Sequence, residues 1–434
     1  MLNSASGSSI EAPKGGVSPA GVSFAIKTFG CKVNTYDSGL LENRLAKFGY
    51  LINDKPQVHV LNTCAVTSEA TQEALRTVRK LKRESPSCVV VVTGCGAQVD
   101  TDKFSNWPGV DLVVANSHKG QLESIIYNFL RGYDTQKTFK SNIFKKEDLE
   151  EGGGEKSTHT RTFLKIQDGC NSFCTFCVIP FARGKSRSLT IESLERRVKE
   201  LVASGVKEVV LTGVHIGDYE FGLENLIERL LARTNVPRLR LTSLEPIELS
   251  DRLLELFKEP RLCPHFHMSI QSATTSVLLG MKRKYTALEV EKALTDISVR
   301  VPQAFVGMDV IAGFPGEGED EFRETYERLD NLPWTRIHVF PYSPRPGTYA
   351  LKLSGQNERS VIVRRADRLR ELSGARLAKI AARQIGQTKK VLILNDGMGL
   401  SRDYWNVSVS GVPNHEVELS IREVSESSGG IVLK

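Results

Sequence analysis

Six short apolar runs, each followed by a polar, helix-forming stretch, fill the middle of this 434-residue chain. They predict strands at Phe163–Gln167, Glu208–Thr212, Leu239–Ser243, Phe266–Gln271, Phe305–Ile311 and Arg336–Tyr342. Strands that alternate with helices form a parallel sheet, because each crossover returns the chain to the same edge. Six such units predict a partial (β/α)6 barrel, an open version of the eight-unit barrel, with its chemistry at the carboxyl ends of the strands.

The chain is longer than one hydrophobic core usually organises, and its composition changes along its length. Residues 23–135 alternate β-branched runs with helical stretches and predict a parallel α/β domain. Residues 136–160 are charged and then glycine-rich, which is typical of a linker, while residues 161–385 hold the barrel and a following helix. Residues 386–434 predict a small antiparallel β-barrel. The Ser, Gly, Ala and Pro content of residues 1–22 predicts a disordered tail.

No apolar run approaches the length that spans a bilayer, and the amino terminus lacks the basic start and apolar core of a secretory signal. We therefore expect a cytoplasmic protein with no membrane partner. Its eight cysteines are then expected to be reduced and to serve in core packing, metal ligation or catalysis. The formal net charge of +7 is a modest bias toward polyanionic partners and does not establish nucleic-acid binding.

Three cysteines, Cys170, Cys174 and Cys177, follow the first predicted barrel strand with C-x3-C-x2-C spacing. One loop can place three thiolates at three corners of a [4Fe–4S] cube and leave the fourth iron without a protein ligand. Zinc is the alternative, but it usually takes four protein ligands from two separated pairs, and the barrel shows no second pair. An electron-transfer protein would need a fourth cysteine for its cluster.

Three more cysteines, Cys31, Cys64 and Cys95, come directly after predicted strands of the first domain. Loops that follow neighbouring parallel strands gather at one edge of the sheet, where such folds bind ligands. We therefore expect these thiols to converge, with buried structural thiols as the alternative. Cys88 lies inside an apolar run and is interpreted as a core residue.

The C-x3-C-x2-C loop, with an aromatic residue before its third cysteine, resembles the signature of the radical S-adenosylmethionine (SAM) family. In that family the open iron binds the amino and carboxylate groups of SAM, and reductive cleavage of SAM gives a 5′-deoxyadenosyl radical. The similarity extends to the later strand ends and makes these residues candidates for the SAM pocket: Phe176, Gly213, Glu245, Gln271 and Asp309. A structural role at a strand end is the alternative for each.

The amino-terminal cysteine triplet upstream of such a loop resembles the methylthiotransferase branch, in which it holds a second [4Fe–4S] cluster. The resemblance implies an enzyme that transfers sulfur-containing groups and uses two [4Fe–4S] clusters and SAM, with an electron donor as a partner. One SAM would methylate sulfur at the auxiliary cluster, and a second would supply the radical that opens a substrate C–H bond.

The stretch Gly30–Asn34, with the sequence GCKVN, is similar to the branch that acts at C-2 of N(6)-threonylcarbamoyladenosine beside the tRNA anticodon. Residues 263–267 and 338–345 support the same branch. The alternatives are the same chemistry on isopentenyladenosine or on a ribosomal-protein aspartate, and an RNA-binding iron–sulfur protein without catalysis. One departure is that Ala273 and Thr274 stand where the family usually has Gly-Ser, which bears on how the fourth strand end meets SAM.

The last domain resembles the TRAM module of the family, with Tyr404 and Trp405 as aromatics that could stack exposed bases of the anticodon loop. Core packing is the alternative for both. Residues 386–434 hold five Lys/Arg against six acids, which weakens an electrostatic grip on RNA. Phosphate contacts are therefore assigned to Arg76–Arg83 and to a helix over residues 356–386, where eight cations face three acids, unless that helix is simply a solvated bridge.

Cys263, His265 and His267 resemble a metal triad in spacing. Their side chains share one face only if the strand stays extended, and Pro264 argues against that.

Overall fold

The computed structural model describes residues 21–53, 55–66, 68–152, 160–394, 397–427 and 430–434. Apart from residues 21 and 22, the predicted tail lies outside these residues, as do residues 153–159 of the predicted linker. Within the described residues, no helix combines the length and the apolar character that crossing a membrane requires.

The first domain is a six-stranded parallel sheet flanked by helices. Its strands are β1 (Ser23–Thr28), β2 (Leu51–Ile52), β3 (Val58–Thr63), β4 (Val89–Thr93), β5 (Leu112–Ala115) and β6 (Thr138–Phe139). Its helices are α1 (Lys32–Phe48), α2 (Ser68–Glu84), α3 (Gly94–Val99), α4 (Thr101–Ser105) and α5 (Leu122–Leu130). The order β2-β1-β3-β4-β5-β6 reverses direction between β1 and β3, and ligands of open α/β sheets bind outside the carboxyl ends at such a switch point.

Part of the segment predicted as a linker packs against this domain. β6 pairs in parallel with β5, and Ile143, in a short 3-10 helix at Ile143–Lys145, is buried. Backbone pairing and apolar burial therefore hold this stretch, which its charged composition did not indicate.

The central domain contains the six predicted strands. These are β7 (Arg161–Lys165), β10 (Glu208–Thr212), β11 (Arg238–Leu241) continued by β12 (Ser243–Leu244), β13 (His265–Gln271), β14 (Phe305–Ala312) and β15 (Arg336–Pro341). A short antiparallel pair, β8 (Gln167–Asp168) and β9 (Arg187–Ser188), flanks the cysteine loop. The strands form parallel sheets in the orders β11-β10-β7 and β12-β13-β14-β15, as the alternation predicted.

Helices cover the outside of these sheets. They are α7 (Ile191–Ala203), α8 (Leu223–Arg233), α9 (Asp251–Leu256), α10 (Thr275–Gly280), α11 (Ala287–Arg300), α12 (Glu319–Asn331) and α13 (Arg359–Ala382), with 3-10 turns at Ile216–Asp218, Pro246–Glu248 and Tyr349–Lys352. The short helix α6 (Ile179–Arg183) instead packs against α3 of the first domain. The start of α7 is fixed by Thr190, whose hydroxyl accepts from the Ser193 amide, and a capping box of Thr286 and Glu289 fixes the start of α11.

The last domain is a separate sheet of β16 (Thr388–Ile393), β17 (Met398–Ser401), β18 (Asn406–Ser408), β19 (Glu416–Ser420), β20 (Val424–Ser427) and β21 (Gly430–Leu433). Its order is β19-β16-β17-β18-β21-β20, and its pairings are antiparallel except for that of β18 with β21. The mixed α/β class with parallel sheets and a separate, largely antiparallel carboxyl-terminal sheet is thereby confirmed.

Candidate active site

The loop of Cys170, Cys174 and Cys177 is wrapped tightly at the carboxyl end of the first barrel strand. Gly169 has a φ of +79°, and a Cβ there would lie 2.0 Å from the Lys185 carbonyl oxygen, so only glycine fits. The amides of Ser172 and Ile179 point at Cys170 Sγ and Cys177 Sγ, each at 3.4 Å. The three sulfurs are only partly exposed.

Two cations lie against this loop. Arg283 donates to Cys174 Sγ at 3.1 Å, and its other end lies 2.8 Å from Glu245 Oε1. Burial alone would lower the pKa of His215, but hydrogen bonds to Asp218, Cys170 and Glu248 raise it to about 12. His215 is therefore a cation at neutral pH.

These groups give the loop its electrostatic character. Burial would raise the pKa of Cys170, but the hydrogen bond from His215 lowers it. Burial raises the pKa of Cys174, and Arg283 only partly offsets this. The two cations thus favour thiolates, the form that ligates iron. Glu245 and Arg283 also present one anionic and one cationic group side by side, which is complementary to the ammonium and carboxylate of an amino acid.

The other predicted SAM-pocket residues lie at strand ends in different surroundings. Phe176 packs edge-on against Phe314, with 6.4 Å between ring centroids. Gly213 approaches Gln167 so closely that a Cβ would lie 3.0 Å from its carbonyl oxygen. Gln271 ends β13 with a φ of +62°. The structure therefore links Glu245 to the cysteine loop through Arg283 and His215. Phe176 lies within that loop, and Gly213 packs against Gln167, three residues before Cys170.

Asp309 lies elsewhere, inside the barrel, where its carboxylate accepts from His267 Nε2 at 2.8 Å. Ala273 and Thr274, which depart from the family pattern, are buried, and the Thr274 hydroxyl donates to the Glu321 carbonyl oxygen on α12. Both side chains thus contribute to packing behind the strand end.

The amino-terminal cysteines converge as expected. Cys31 precedes α1 as its N-cap residue, Cys64 follows β3, and Cys95 lies in the first turn of α3 after β4. A Cβ on Gly30, whose φ is +92°, would lie 2.6 Å from Cys64 Sγ. Burial and the neighbouring Cys95 and Cys31 raise the pKa of Cys64 to about 12. Cys31 is exposed, whereas a thiol that serves only core packing is expected to be buried.

A buried charge network joins the two cysteine sites. Arg183, which ends α6 six residues after Cys177, donates through Nε to Cys95 Sγ at 3.1 Å. The same guanidinium contacts both oxygens of Asp168 at 2.9 and 3.0 Å and Asp37 at 3.1 Å. Cys95 also forms one apolar cluster with Ala65, which follows Cys64, and with Val178 and Ala182, which follow Cys177. The two sites therefore face each other across one interface.

A cavity of about 430 Å³ lies between the central strands and the carboxyl-terminal sheet. Its walls come from β13, β14 and β15, from the start of α1 and from the carboxyl-terminal sheet. Lys32, His267, Asp309, His338 and Tyr404 line it. This volume is within the range of roughly 300–1,000 Å³ that is usual for small-molecule sites.

The remaining cysteines and histidines have structural surroundings. Cys88 and Cys263 are buried, and His265 stacks on Tyr404 with 3.8 Å between ring centroids. Burial holds the pKa of His265 well below its usual range. In the part of the chain that the structure describes, metal-type groupings are Cys170–His215–Asp218 and His215–Glu245–Glu248. Cys263, His265 and His267 do not form such a grouping among the described residues.

The structure favours packing over base stacking for the carboxyl-terminal aromatics. Trp405 is 4% exposed and packs edge-on against Phe305 at 5.1 Å. Tyr404 stacks on His265 and lies 5.0 Å below the Arg240 guanidinium. Both rings therefore join the last sheet to the barrel.

Several cations of α13 also serve packing. Arg365 is buried and paired with Glu317 at 3.2 Å, and Arg376 lies 4.1 Å over the Trp334 ring. The exposed cations of this helix are Arg359, Arg364, Arg368, Arg370, Lys379 and Arg383. On α2, Lys82 pairs with Asp111 at 2.8 Å, so part of that basic stretch also has an internal partner.

The sequence did not single out four side chains that contact the cysteine sites or line the cavity, namely Lys32, Arg183, His215 and Arg283. Three of them stand within or beside motifs already noted: Lys32 in GCKVN, Arg183 six residues after the last cysteine of the C-x3-C-x2-C loop, and His215 two residues after Gly213. Arg283 had no such signal.

Comparison with known proteins agrees with this geometry. The Radical SAM superfamily model matches residues 164–329, and that of uncharacterized protein family UPF0004 matches residues 23–115. Threonylcarbamoyladenosine tRNA methylthiotransferase MtaB of Aquifex aeolicus is 36% identical over 403 residues, which are 89% of this chain and 96% of that protein. The tRNA-2-methylthio-N(6)-dimethylallyladenosine synthase of Ehrlichia chaffeensis is 32% identical over 387 residues, 85% of this chain and 87% of that protein.

Among solved structures, the radical SAM methyltransferase TsrM of Kitasatospora setae superposes with a TM-score of 0.56 at 16% identity, covering 74% of each chain. At that identity the likeness concerns the fold alone. The near-complete match to the Aquifex protein, together with the superfamily match over the cysteine loop, decides the family. The chain belongs to the radical SAM methylthiotransferase family.

Proposed function

We propose that this protein is a tRNA methylthiotransferase that places a methylthio group at C-2 of N(6)-threonylcarbamoyladenosine next to the anticodon. The observation that carries the proposal is the facing pair of cysteine triplets, each with a guanidinium 3.1 Å from one of its sulfurs. The substrate is proposed from the names of relatives that match most of the chain at 32–38% identity.

Family membership brings SAM and one [4Fe–4S] cluster, which Cys170, Cys174 and Cys177 would hold. Reductive cleavage of SAM at that cluster would supply the radical, with the electron from a donor protein. Three thiolates from one loop fit such a cluster and leave one iron for SAM. Arg283 and His215 stabilise the thiolate form of the loop.

The second cluster, on Cys31, Cys64 and Cys95, is part of the proposal. Its support is the convergence of the three thiols at the switch point of the first sheet and the cation that Arg183 places against Cys95. The exposed position of Cys31 leaves this site open toward other groups.

The SAM pocket is proposed at the strand ends around the cysteine loop. Glu245 would hold the ammonium and Arg283 the carboxylate of the methionyl part, because the two groups lie 2.8 Å apart beside Cys174. Gly213 would let SAM approach β10, and Phe176 would line the pocket. Gln271 stays a candidate at the end of β13, while Asp309, inside the barrel, fits substrate better than SAM.

The remaining assignments also belong to this proposal. The domains would be residues 23–135, 161–385 and 386–434, with the last as a TRAM-like module. The anticodon loop of tRNA would be the partner, held at its phosphates by exposed cations of α2 and α13.

Nucleoside mass spectrometry tests the proposal. The reconstituted protein is incubated without oxygen with SAM, a reductant, sulfide and tRNA that carries either threonylcarbamoyl- or isopentenyladenosine. A gain of one methylthio group on the threonylcarbamoyl nucleoside alone is the expected result. A gain only on isopentenyladenosine would keep the chemistry and overturn the substrate, and cleavage of SAM without modified RNA would point to a protein aspartate.

A further inference from the structure

The cavity between the central strands and the carboxyl-terminal sheet is lined by a lysine, Lys32. Lys32 is mostly buried, and among the described residues neither a hydrogen bond nor an ion pair reaches its ammonium. A mostly buried cation with no directly bonded partner is costly, even with the attraction of Tyr404 and Asp309, and therefore marks a site that a ligand completes.

The other charges around the cavity leave it positive. Arg161 and Arg240 both pair with the single carboxylate of Glu208, at 2.7 and 2.9 Å. Asp309 is paired with His267, and Arg336 at the rim has no carboxylate partner among the described residues. The cations therefore outnumber the carboxylates that face them.

Neutral groups complete the walls. Burial and neighbouring charges hold the pKa of His265 well below its usual range and lower that of His338 to about 4, so both rings are uncharged at neutral pH. Phe305 and Tyr404 supply apolar surface. Such a site favours a small organic anion with a carboxylate at one end.

The inference rests on the proposed function, whose two candidate nucleosides differ in whether they carry a carboxylate. The threonylcarbamoyl group ends in an amino acid with a free carboxylate and a hydroxyl, whereas the isopentenyl group is an uncharged hydrocarbon. We propose that this cavity binds the amino-acid part of the modified adenosine, with the Lys32 ammonium as the partner of its carboxylate. Asp309 then faces the threonyl hydroxyl as an acceptor.

The position of Lys32 couples this site to the chemistry. It is the first residue of α1 and directly follows Cys31. A carboxylate held by Lys32 therefore places the nucleoside next to the auxiliary site, because Lys32 is bonded to Cys31. In this role Lys32 is a specificity-determining residue.

The test compares Lys32→Met with wild type on two anticodon stem–loop RNAs, one with the free threonyl carboxylate and one with its methyl ester. The enzyme is the reconstituted full chain, and the readouts are KM and kcat for methylthiolation. Loss of a charge-assisted hydrogen bond, worth about 1.5–3 kcal/mol, raises KM for the acid about 10- to 100-fold. KM for the ester, already high in wild type, is not raised further. Lys32→Arg restores part of the preference for the acid.

Lys47→Met is the matched control, because Lys47 is an exposed lysine near the other end of the same helix. Iron per chain, measured on each preparation, reports whether the clusters are intact. Equal KM values for acid and ester in wild type overturn the carboxylate site whatever the variants do, while the proposed function stands. An equal rise of KM for both RNAs in Lys32→Met also overturns it. No methylthiolation of the acid RNA by wild type overturns the proposed function itself, and the site with it.

Discussion

Replacing Arg183 with methionine should damage the auxiliary cysteine site while leaving the radical SAM loop loaded with iron. Arg183 is 3% exposed and reaches Cys95, Asp168 and Asp37 with one guanidinium. Methionine keeps much of the side-chain volume but removes the charge and all donors. The change therefore tests electrostatics more than packing.

The magnitude follows from the charges in the network. Lys119 and Lys165 also pair with Asp37, at 3.2 and 2.6 Å, so three cations share two buried carboxylates. The surplus positive charge is balanced when Cys95 is a thiolate. Breaking a buried ion pair costs about 3–5 kcal/mol, and the thiolate loses the cation at 3.1 Å as well. We expect iron per chain to fall from about eight to about four, the content of one remaining four-iron cluster.

The assay is iron and sulfide per chain after reconstitution, together with the rate of 5′-deoxyadenosine formation. Arg183→Lys should retain part of the auxiliary iron, because an ammonium keeps the charge but not the fork of donors. Arg196→Met is the control, since Arg196 makes an exposed ion pair with Glu151. Full iron content in Arg183→Met, equal to that of Arg196→Met, would refute the role of this network.

Three further predictions follow from the same contacts. Cys174→Ala should abolish SAM cleavage and keep the auxiliary iron, whereas Cys64→Ala should cleave SAM without methylthiolating RNA, as measured by 5′-deoxyadenosine and nucleoside mass. Glu208→Gln should lower the free energy of unfolding by about 3–5 kcal/mol in urea titrations, because three guanidiniums lose their buried carboxylate, while Glu195→Gln at an exposed pair changes little. Burial would raise the pKa of Glu208, but Arg240, Arg161 and Arg238 hold it well below its usual range. The stability that the ionised Glu208 contributes is therefore present above about pH 4.5 and is lost as the pH falls through the lowered pKa. Glu208→Gln should therefore show a shallower loss of stability in acid.

The barrel strands were predictable because of how parallel sheets are buried. A strand covered on both faces is a nearly continuous apolar run, and Glu208–Thr212 is found with the predicted bounds. The third strand differs because Thr242 interrupts its ladder and divides it into β11 and β12. The convergence of the amino-terminal cysteines was also predictable, because the loops that follow neighbouring parallel strands lie at the same edge of the sheet.

Side-chain partners from distant parts of the chain were not predictable. Arg183 and Cys95 are 88 residues apart, and Arg183 and Asn34 are 149 apart, so no local pattern links them. The cation Arg365 on α13 shows the same limit. Arg365 has its partner Glu317 on a different element, and composition alone counts it as free to bind phosphate.

The first two turns of α1 carry residues of the auxiliary site, of the cavity and of the interface with the central domain. Cys31 caps the helix, Lys32 enters the cavity, and Asn34 and Asp37, three residues apart on one face, accept from Arg183. A rigid helix moves these groups together, so the auxiliary site, the proposed carboxylate site and the interface with the barrel share one position. A change that shifts α1 at Arg183 therefore also shifts Lys32, and loss of auxiliary iron and weaker binding of the threonyl carboxylate should appear together. A change at Lys32 alone alters only the binding of the carboxylate, because the contacts of Asn34 and Asp37 still hold the helix in place.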